Sequence, residues 1–449
     1  MNESAILQPP TLPAGIFGEH FVKFRRNPTG FLTKAAALGD VSRFWMVNQP
    51  MFFVNHPELI RDVLTTNAAK FHKGRALQRM KRVLGNGLLT SEEEFHLRQR
   101  RLAQPAFHRQ RIADYAASMI DYGERVSGEW RDGETYDIAE EMMRLTLYIV
   151  AKTLFGANVE SEADEIGAAM TTMINAFNLL LLPFSELLEK LPLPYAKRFS
   201  AAKATIDNVI YKIIRERRAT GEDKGDLLSM LLLAQDEDDG GRMTDEQVRD
   251  ECLTIFLAGH ETTANALTWT WYLLSQNPEI AAKFHAEIDR VLPQKRLPTF
   301  EDYPNLKYVE AVLAESMRLY PPAWAIGRLA IENHDLKGFA IPKGSLVLMS
   351  PYILQRDERF WTHAEQFQPE RWLAETSVKE AGQKFVYFPF GGGVRRCIGE
   401  QFAWTEGVLL LATIARQRKL ELVPSQKIAL NPLVTLRPKF GMKMRVEKR

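Results

Sequence analysis

Apolar residues recur at three- and four-residue spacing over segments 56–66, 91–107, 109–130, 138–155, 161–181, 196–219, 244–276, 278–292 and 305–320, which predicts helices that each bury one face. Ser, Thr, Asp, Gly or Pro bounds them. The longest segment opens at Thr244 with Gln247 three residues on, the spacing of a capping box, and runs to Asn277-Pro278, where proline forces the backbone out of helical space. Ser91 and Glu94 have the same spacing at the start of another helix. Strand-like alternation is confined to Val41–Val54, a predicted hairpin around Asn48-Gln49-Pro50, and to short runs from Ala325 to Val347. Residues 350–396 lack a period, and Gly399 to Arg418 is helical again. The expected fold is mainly α with a small β portion: a Pro-rich arm over residues 1–20, then one catalytic domain over 21–449, with no repeat or linker.

Composition narrows the function. The 449 residues are 45% hydrophobic and 25% charged, ordinary for a globular chain, and the net charge of +2 offers no chain-wide field for nucleic acid or a membrane surface. Cys252 and Cys397 are the two cysteines, too few and too far apart for a disulfide framework, which fits a reducing compartment. The N-terminus lacks the basic start and apolar run of a secretion signal, and no apolar stretch reaches the roughly 18 residues of a membrane span. A cytoplasmic protein is expected, acting as a monomer.

The densest chemical signal is Phe390-Gly391-Gly392-Gly393-Val394-Arg395-Arg396-Cys397-Ile398-Gly399. Glycines let the backbone turn tightly and approach a flat cofactor, while two arginines and the start of a helix favour the thiolate, the form of cysteine that binds metal. A lone cysteine in a turn is more often a small buried hydrophobe, and the glycines alone suit a phosphate loop. The phosphate reading fails because no Lys-Ser/Thr follows them. Phe390, Gly393, Arg395, Cys397 and Gly399 match the defining positions of a haem-binding signature, and through them the chain resembles the cytochrome P-450 superfamily. The resemblance implies the fold of that family, with a long central helix over haem b (iron protoporphyrin IX), and Cys397 as axial ligand of the iron. A thiolate in that place pushes electron density onto the iron and favours O–O cleavage.

Within the longest helix stands Ala258-Gly259-His260-Glu261-Thr262-Thr263. Small residues let a ligand press close, and the threonine hydroxyls can divert backbone hydrogen bonds and open the helix locally. A zinc-protease reading of His260-Glu261 fails because position 264 is Ala. In the family that Ala258, Glu261 and Thr262 resemble, this helix lies against the haem, and the acid and alcohol manage proton delivery during oxygen activation. Glu261 is expected to link the site to solvent.

The rest of the resemblance supplies supporting residues. Glu315 and Arg318 match its Glu-x-x-Arg pair, and Pro369-Glu370-Arg371-Trp372 supplies a third partner, Arg371, in a buried network behind the cysteine loop. His96, Arg100, Arg328 and Arg395 match cations that hold the haem propionates; taken singly, each arginine is more often a surface residue. Five arginines and no acid lie between Arg98 and Arg111, ordinarily a solvated face. A nucleic-acid role lacks interleaved aromatics there. The resemblance makes that stretch the docking site of a separate ferredoxin or flavodoxin-type electron donor, and no fused reductase is expected.

Leu88, Leu89, Phe177, Phe256, Ala258, Ala325, Ile326 and Leu436 fall where the family lines its substrate pocket. Their apolar character favours a hydrophobic small molecule such as a fatty acid, terpenoid or steroid, and the segment Phe177 to Phe184 equally suits core packing or a lip on a membrane. The expected activity is that of a haem-dependent monooxygenase, an oxidoreductase that uses O2 and paired electron donors to hydroxylate or epoxidise this substrate. A peroxide-driven haem-thiolate peroxygenase or isomerase, and a haem-based gas sensor, are the alternatives. Thr262 weighs against the former and the lack of an output domain against the latter.

Overall fold

The computed structural model describes residues 8–14, 16–180, 194–234, 241–374 and 377–449. Its backbone forms two compact units, Met1–Arg79 with Met317–Cys397, and Met80–Ser316 with Ile398–Arg449.

The first unit is built on a five-stranded sheet in the order Val41–Met46, Gln49–Val54, Leu346–Met349, Ile326–Ala330, Phe71–Lys73. Gln49–Val54 and Leu346–Met349 run parallel, and every other neighbouring pair is antiparallel. The predicted hairpin is present, but its turn falls at Val47-Asn48, with Val47 at φ 59°. Pro50 lies inside the second strand, one residue before the first position paired to Leu346, so its missing N–H interrupts no bond to that neighbour. Phe52, Val54, Val347 and Met349 pack with Leu59, Ile60, Val63 and Leu64, which belong to the helix Pro57–Arg61 and the turn of π-helix that continues it, Asp62–Thr66. Residues 350–396 form only short helices among the described residues, at Pro351–Leu354, Arg371–Ala374 and Val378–Gln383.

A cation organises that irregular run. Arg318 is fully buried at the end of the helix Lys307–Leu319, and its guanidinium donates to the carbonyls of Gln355 and Ala364, both at 2.6 Å, and of Gln366 at 2.9 Å. It also lies over the ring of Trp361, 5.3 Å from the centroid, and Arg371 lies over the same ring at 5.7 Å. Gln355 completes the link by donating to the carbonyls of Met317 and Arg318 while its own Oε1 accepts from the Phe388 N–H, just ahead of the cysteine loop. Glu315, one turn earlier on the helix, is fully buried as well.

In the second unit the helix Asp245–Gln276 has the predicted ends, with the Thr244–Gln247 capping box formed at its start. The helix Ile138–Phe155 packs along it, and Glu400–Ala415 and Pro278–Val291 pack against it too. A three-stranded sheet, Thr135–Asp137, Lys443–Lys448 and Arg418–Leu422, and a hairpin of Leu430–Pro432 with Leu436–Pro438 complete this unit.

Two local expectations need correction. Four helices went unforeseen, Glu19–Arg26, Pro28–Ala36, Arg75–Leu84 and Leu227–Leu233, because they are short or carry too many charges for a clear apolar stripe; Arg75–Leu84 buries only Met80, Val83 and Leu84. Ser91 does not cap its helix, which begins at Glu93 with no side-chain cap. Its hydroxyl lies instead 3.3 Å from His96 Nδ1.

Replacing Arg318 with Met strands two buried carbonyls, of Gln355 and Ala364, and removes the partner of a third at the exposed Gln366, in the run that leads to the cysteine loop. The expected outcome is a loss of about 3–5 kcal/mol in urea unfolding, the cost of removing one member of a buried charged network, and sharply reduced haem content. A wild-type unfolding midpoint would show that these bonds are dispensable.

Candidate functional site

In the first unit, Cys397 stands at the end of a loop in which its N–H donates to the Phe390 carbonyl at 2.9 Å. The cysteine itself is exposed. Gly393 adopts φ 65°, the left-handed region where a side chain is strained, and a Cβ there would collide with the Leu64 carbonyl oxygen. At Gly392 a Cβ would run into the Phe385 ring. Gly393 is therefore required twice over, by backbone conformation and by close approach, whereas Gly392, extended at φ −163°, is required by close approach alone. Arg395 is half-buried at the end of the single 3-10 turn Gly393–Arg395, and Phe390 is half-buried. Arg328 is buried on the sheet strand and donates to the Gly327 carbonyl at 3.0 Å, and Ala325 and Ile326 are half-buried beside it in sequence.

In the second unit, the long helix is buried around nearly its whole circumference through its central turns, except at Leu257, Ala258, Gly259 and Thr262. Ala258 is exposed there. A bared turn carrying Ala258 midway along a buried helix, with Thr262 one turn on, is a seat for a flat apolar group, and an exposed cysteine on a glycine loop suits an iron; each taken by itself fits a haem. The threonines do not break the helix, which is continuous. Thr262 Oγ donates to the Ala258 carbonyl at 2.7 Å and Thr263 Oγ to the Gly259 carbonyl at 3.4 Å, sharing acceptors with the ladder rather than opening it.

Glu261 departs from its expected link to solvent. It is 3% exposed, and its Oε1 accepts from the Thr435 hydroxyl and, at 2.7 Å, from Arg437 Nε. Asn265 adds bonds to the Glu261 carbonyl at 2.9 Å and to Thr435 Oγ at 3.2 Å. The acid is thus tied to the hairpin that carries Leu436. His260 beside it is fully buried, and burial pushes its imidazole below the ordinary range, so it stays neutral.

His96 is buried and Arg100 half-buried on one helix, four residues apart as expected. Leu88 is buried, with its N–H donating to Glu251 Oε2 at 2.9 Å, and Leu89 is half-buried. Two pocket expectations fail. Phe256 points away from the Ala258 face, its ring 5.8 Å from that of Phe155, and lines an internal apolar cavity with Ile166, Ile210 and Cys252. Positions two apart lie on opposite sides of a helix, so these two residues cannot face the same ligand. Leu436 is fully buried, and its carbonyl accepts from Trp269 Nε1 at 2.9 Å. The Phe177 side chain and residues 181–184 lie outside the described residues.

One functional group escaped the sequence reading altogether. Glu406, on the helix that follows Cys397, is fully buried, and that burial pushes its carboxyl up to about 8 against a smaller opposing contribution from Thr263. A lone acid inside the apolar run from Phe402 to Ala415 was the available signal.

The cysteine that closes the glycine loop marks a haem-thiolate protein. A profile of the cytochrome P-450 family matches residues 8–444, and the chain belongs to that family. It is similar to cyclooctatin synthase of Streptomyces melanosporofaciens, 39% identical over 94% of this chain and 92% of that protein, and to cyclooctat-9-en-7-ol 5-monooxygenase of the same organism, 37% identical over 90% and 88%. Pentalenene oxygenase of Streptomyces avermitilis is 35% identical over 96% and 95%. The protein is a cytochrome P-450 monooxygenase, a haem enzyme that takes O2 and electrons from a redox partner. Among the described residues no helix is long and apolar enough to cross a membrane.

The Glu406 carboxyl gives a signed pH dependence. Folding holds it neutral, so stability is greatest below its ordinary value of 4.5, falls as pH rises towards about 8, and is level beyond. Glu406→Gln removes this loss. Its unfolding free energy should match wild type at the acid end and exceed it progressively with rising pH, by roughly 1.4 kcal/mol per unit at most. A gap independent of pH would rule out a neutral carboxyl.

Proposed function

We propose that this enzyme inserts one oxygen atom from O2 into a ring-containing, terpenoid-type hydrocarbon or unsaturated alcohol, with Cys397 as the iron ligand of haem b. The observation that carries this reading is the exposed cysteine on a glycine loop, supported by the bared turn at Ala258 and Thr262 on the long helix. The substrate class rests on two relatives whose names denote oxidation of pentalenene and oxygen insertion into cyclooctat-9-en-7-ol, and on the apolar side chains Leu88, Leu89, Ala325 and Ile326. Of the fatty acid, terpenoid and steroid classes, those relatives favour the terpenoid.

Bound haem would supply the redox chemistry that activates dioxygen. The chain's own residues do the rest. Cys397 presents sulfur from a loop whose shape is set by backbone contacts. His96, Arg100, Arg328 and Arg395 supply the cations for two propionates. Ala258 keeps side-chain bulk off the exposed helix face, and Gly259 lets the helix Ile138–Phe155 come close at Val150. Thr262 keeps its hydroxyl at that face, where it donates to the Ala258 carbonyl and its oxygen can accept or relay a proton. Glu261 transfers a proton by exchanging its bond to Thr435 or Arg437 for one to water. Electrons come from a ferredoxin or flavodoxin-type donor, for which the exposed Arg101 and Arg109 in the acid-free stretch Arg98–Arg111 provide the complementary charge.

Ring terpenoids should displace water from the iron, giving a low- to high-spin shift, and should yield oxygenated product with a surrogate ferredoxin system. Turnover of linear fatty acids, with no shift for any ring compound, would overturn the assignment. Thr262→Ala should bind substrate and haem normally yet release about a tenth or less of the wild-type product per reductant consumed, since positioned proton transfer supplies roughly 10²–10⁴-fold. Unchanged coupling would remove Thr262 from the proton path.

A further inference from the structure

We infer that His334 and Asp62 form a buried pair that positions the Cys397 loop by holding a π-turn against it. This rests on the assignment of Cys397 as the iron ligand.

The helix Pro57–Arg61 does not end where its hydrogen bonding changes. It widens into Asp62–Thr66, closed by the Asn67 N–H donating to the Asp62 carbonyl five residues back at 2.8 Å. Such wide turns are rare and need an external anchor. Asp62 provides one. Its Oδ2 accepts from the Asn67 side chain at 2.8 Å, and its Oδ1 lies 2.6 Å from His334 Nε2. The His334 side chain is 4% exposed and that of Asp62 16%, so water competes little for the bond. The edge of the His334 ring meets Phe71, 5.3 Å between centroids, which fixes the direction of the imidazole. His334 opens a small hairpin, His334–Leu336 with Phe339–Ile341, whose turn residue Lys337 pairs with Glu58 on the preceding helix.

The π-turn places the Leu64 carbonyl where any side chain at Gly393 would collide with it, and Thr65 Cα presses on the same position. Gly393 begins the turn that leads to Arg395 and then to Cys397. A loop of three glycines has no side chains to stiffen it, so its shape is set by what stands against it. Relaxing Asp62–Thr66 to ordinary α geometry would rotate the Leu64 carbonyl away and leave Gly393 unsupported. His334 is then a positioning residue that acts on the sulfur through Asp62 and Leu64.

The test uses the haem-loaded enzyme. Purified His334→Leu, His334→Gln and Asp62→Asn would be compared with wild type for haem content, melting temperature and the reduced carbon monoxide spectrum. The strongly red-shifted Soret band of thiolate ligation would be followed over time in urea, set at an equal distance below each variant's unfolding midpoint. His334→Leu should load haem yet lose the red-shifted band about tenfold faster, the scale on which residues supporting a ligand act. His334→Gln, which can still donate to Asp62, should restore the wild-type rate. Asp62→Asn should fall between and serves as the readout if His334→Leu does not fold. Lowered melting temperature with wild-type rates of band loss in both disruptive variants would overturn the inference and leave a merely structural pair. If wild type lacks the band, or Cys397→Ser retains it, the ligand assignment itself fails, which is a separate result.

Discussion

A sulfur must be held still beyond a run of three glycines that have no side chains with which to hold it. Much of the first unit can be understood from that constraint. Gly393 is needed so that the backbone can bend, and both Gly392 and Gly393 so that it can be approached closely, but each also removes a restraint. Stiffness therefore comes from outside: the Leu64 carbonyl and Phe385 ring against the glycines, the Phe390 carbonyl closing on the Cys397 N–H, and Gln355 fixing the chain at Phe388. Each support depends on another. Gln355 is held by the carbonyls at the end of the Lys307–Leu319 helix, and Arg318 gathers the irregular segment around it. A buried arginine is expensive to desolvate, and here it is matched by three carbonyls and an aromatic face, which makes it a junction that few other arrangements would satisfy.

The long helix meets a different constraint. It is buried on nearly all sides through its centre, so each polar side chain on it must find a partner or change its charge. Thr254, Thr263, Thr268 and Thr270 are all buried within it, and the hydroxyls of the last three turn back to carbonyls one turn earlier. Asp250 and Glu251 reach back to the loop after the helix Arg75–Leu84, accepting from the N–H groups of Asn86 and Leu88. That loop carries Leu88 and Leu89 and leads to the helix of His96, so the acids at one end of the helix shape the approach to residues that matter further along.

What the sequence revealed follows from the range of each interaction. The ends of the long helix were legible because capping boxes and proline act within four residues, and Ile138–Phe155 was legible to the residue because its apolar stripe and Gly156 stop are local. Ser91 misled because a capping pattern is only an option: His96, five residues on, took the hydroxyl first. Phe256 and Leu436 misled for a different reason. An apolar side chain looks the same in sequence whether it faces a ligand or a neighbouring helix, and only the 200° between positions 256 and 258 separates the two faces. The partners of Glu261 and the π-turn behind Gly393 were beyond reach, since both depend on residues distant in the chain that carry no local pattern.

The two buried acids near the threonine pair show how much the surroundings decide. Glu261 has a guanidinium and a hydroxyl on one oxygen. Glu406 is just as deeply buried but has no cation beside it, and burial pushes its carboxyl up to about 8. Both are glutamates on long helices of the same unit, and their sequence contexts do not separate them. Glu261 is suited to trading partners, and Glu406 to keeping its proton until something charged approaches. An apolar interior does not simply exclude acids; what surrounds each one decides what it can do. Arg437 stands on the same short strand as Leu436, so any shift of that hairpin changes the bonds that Glu261 makes.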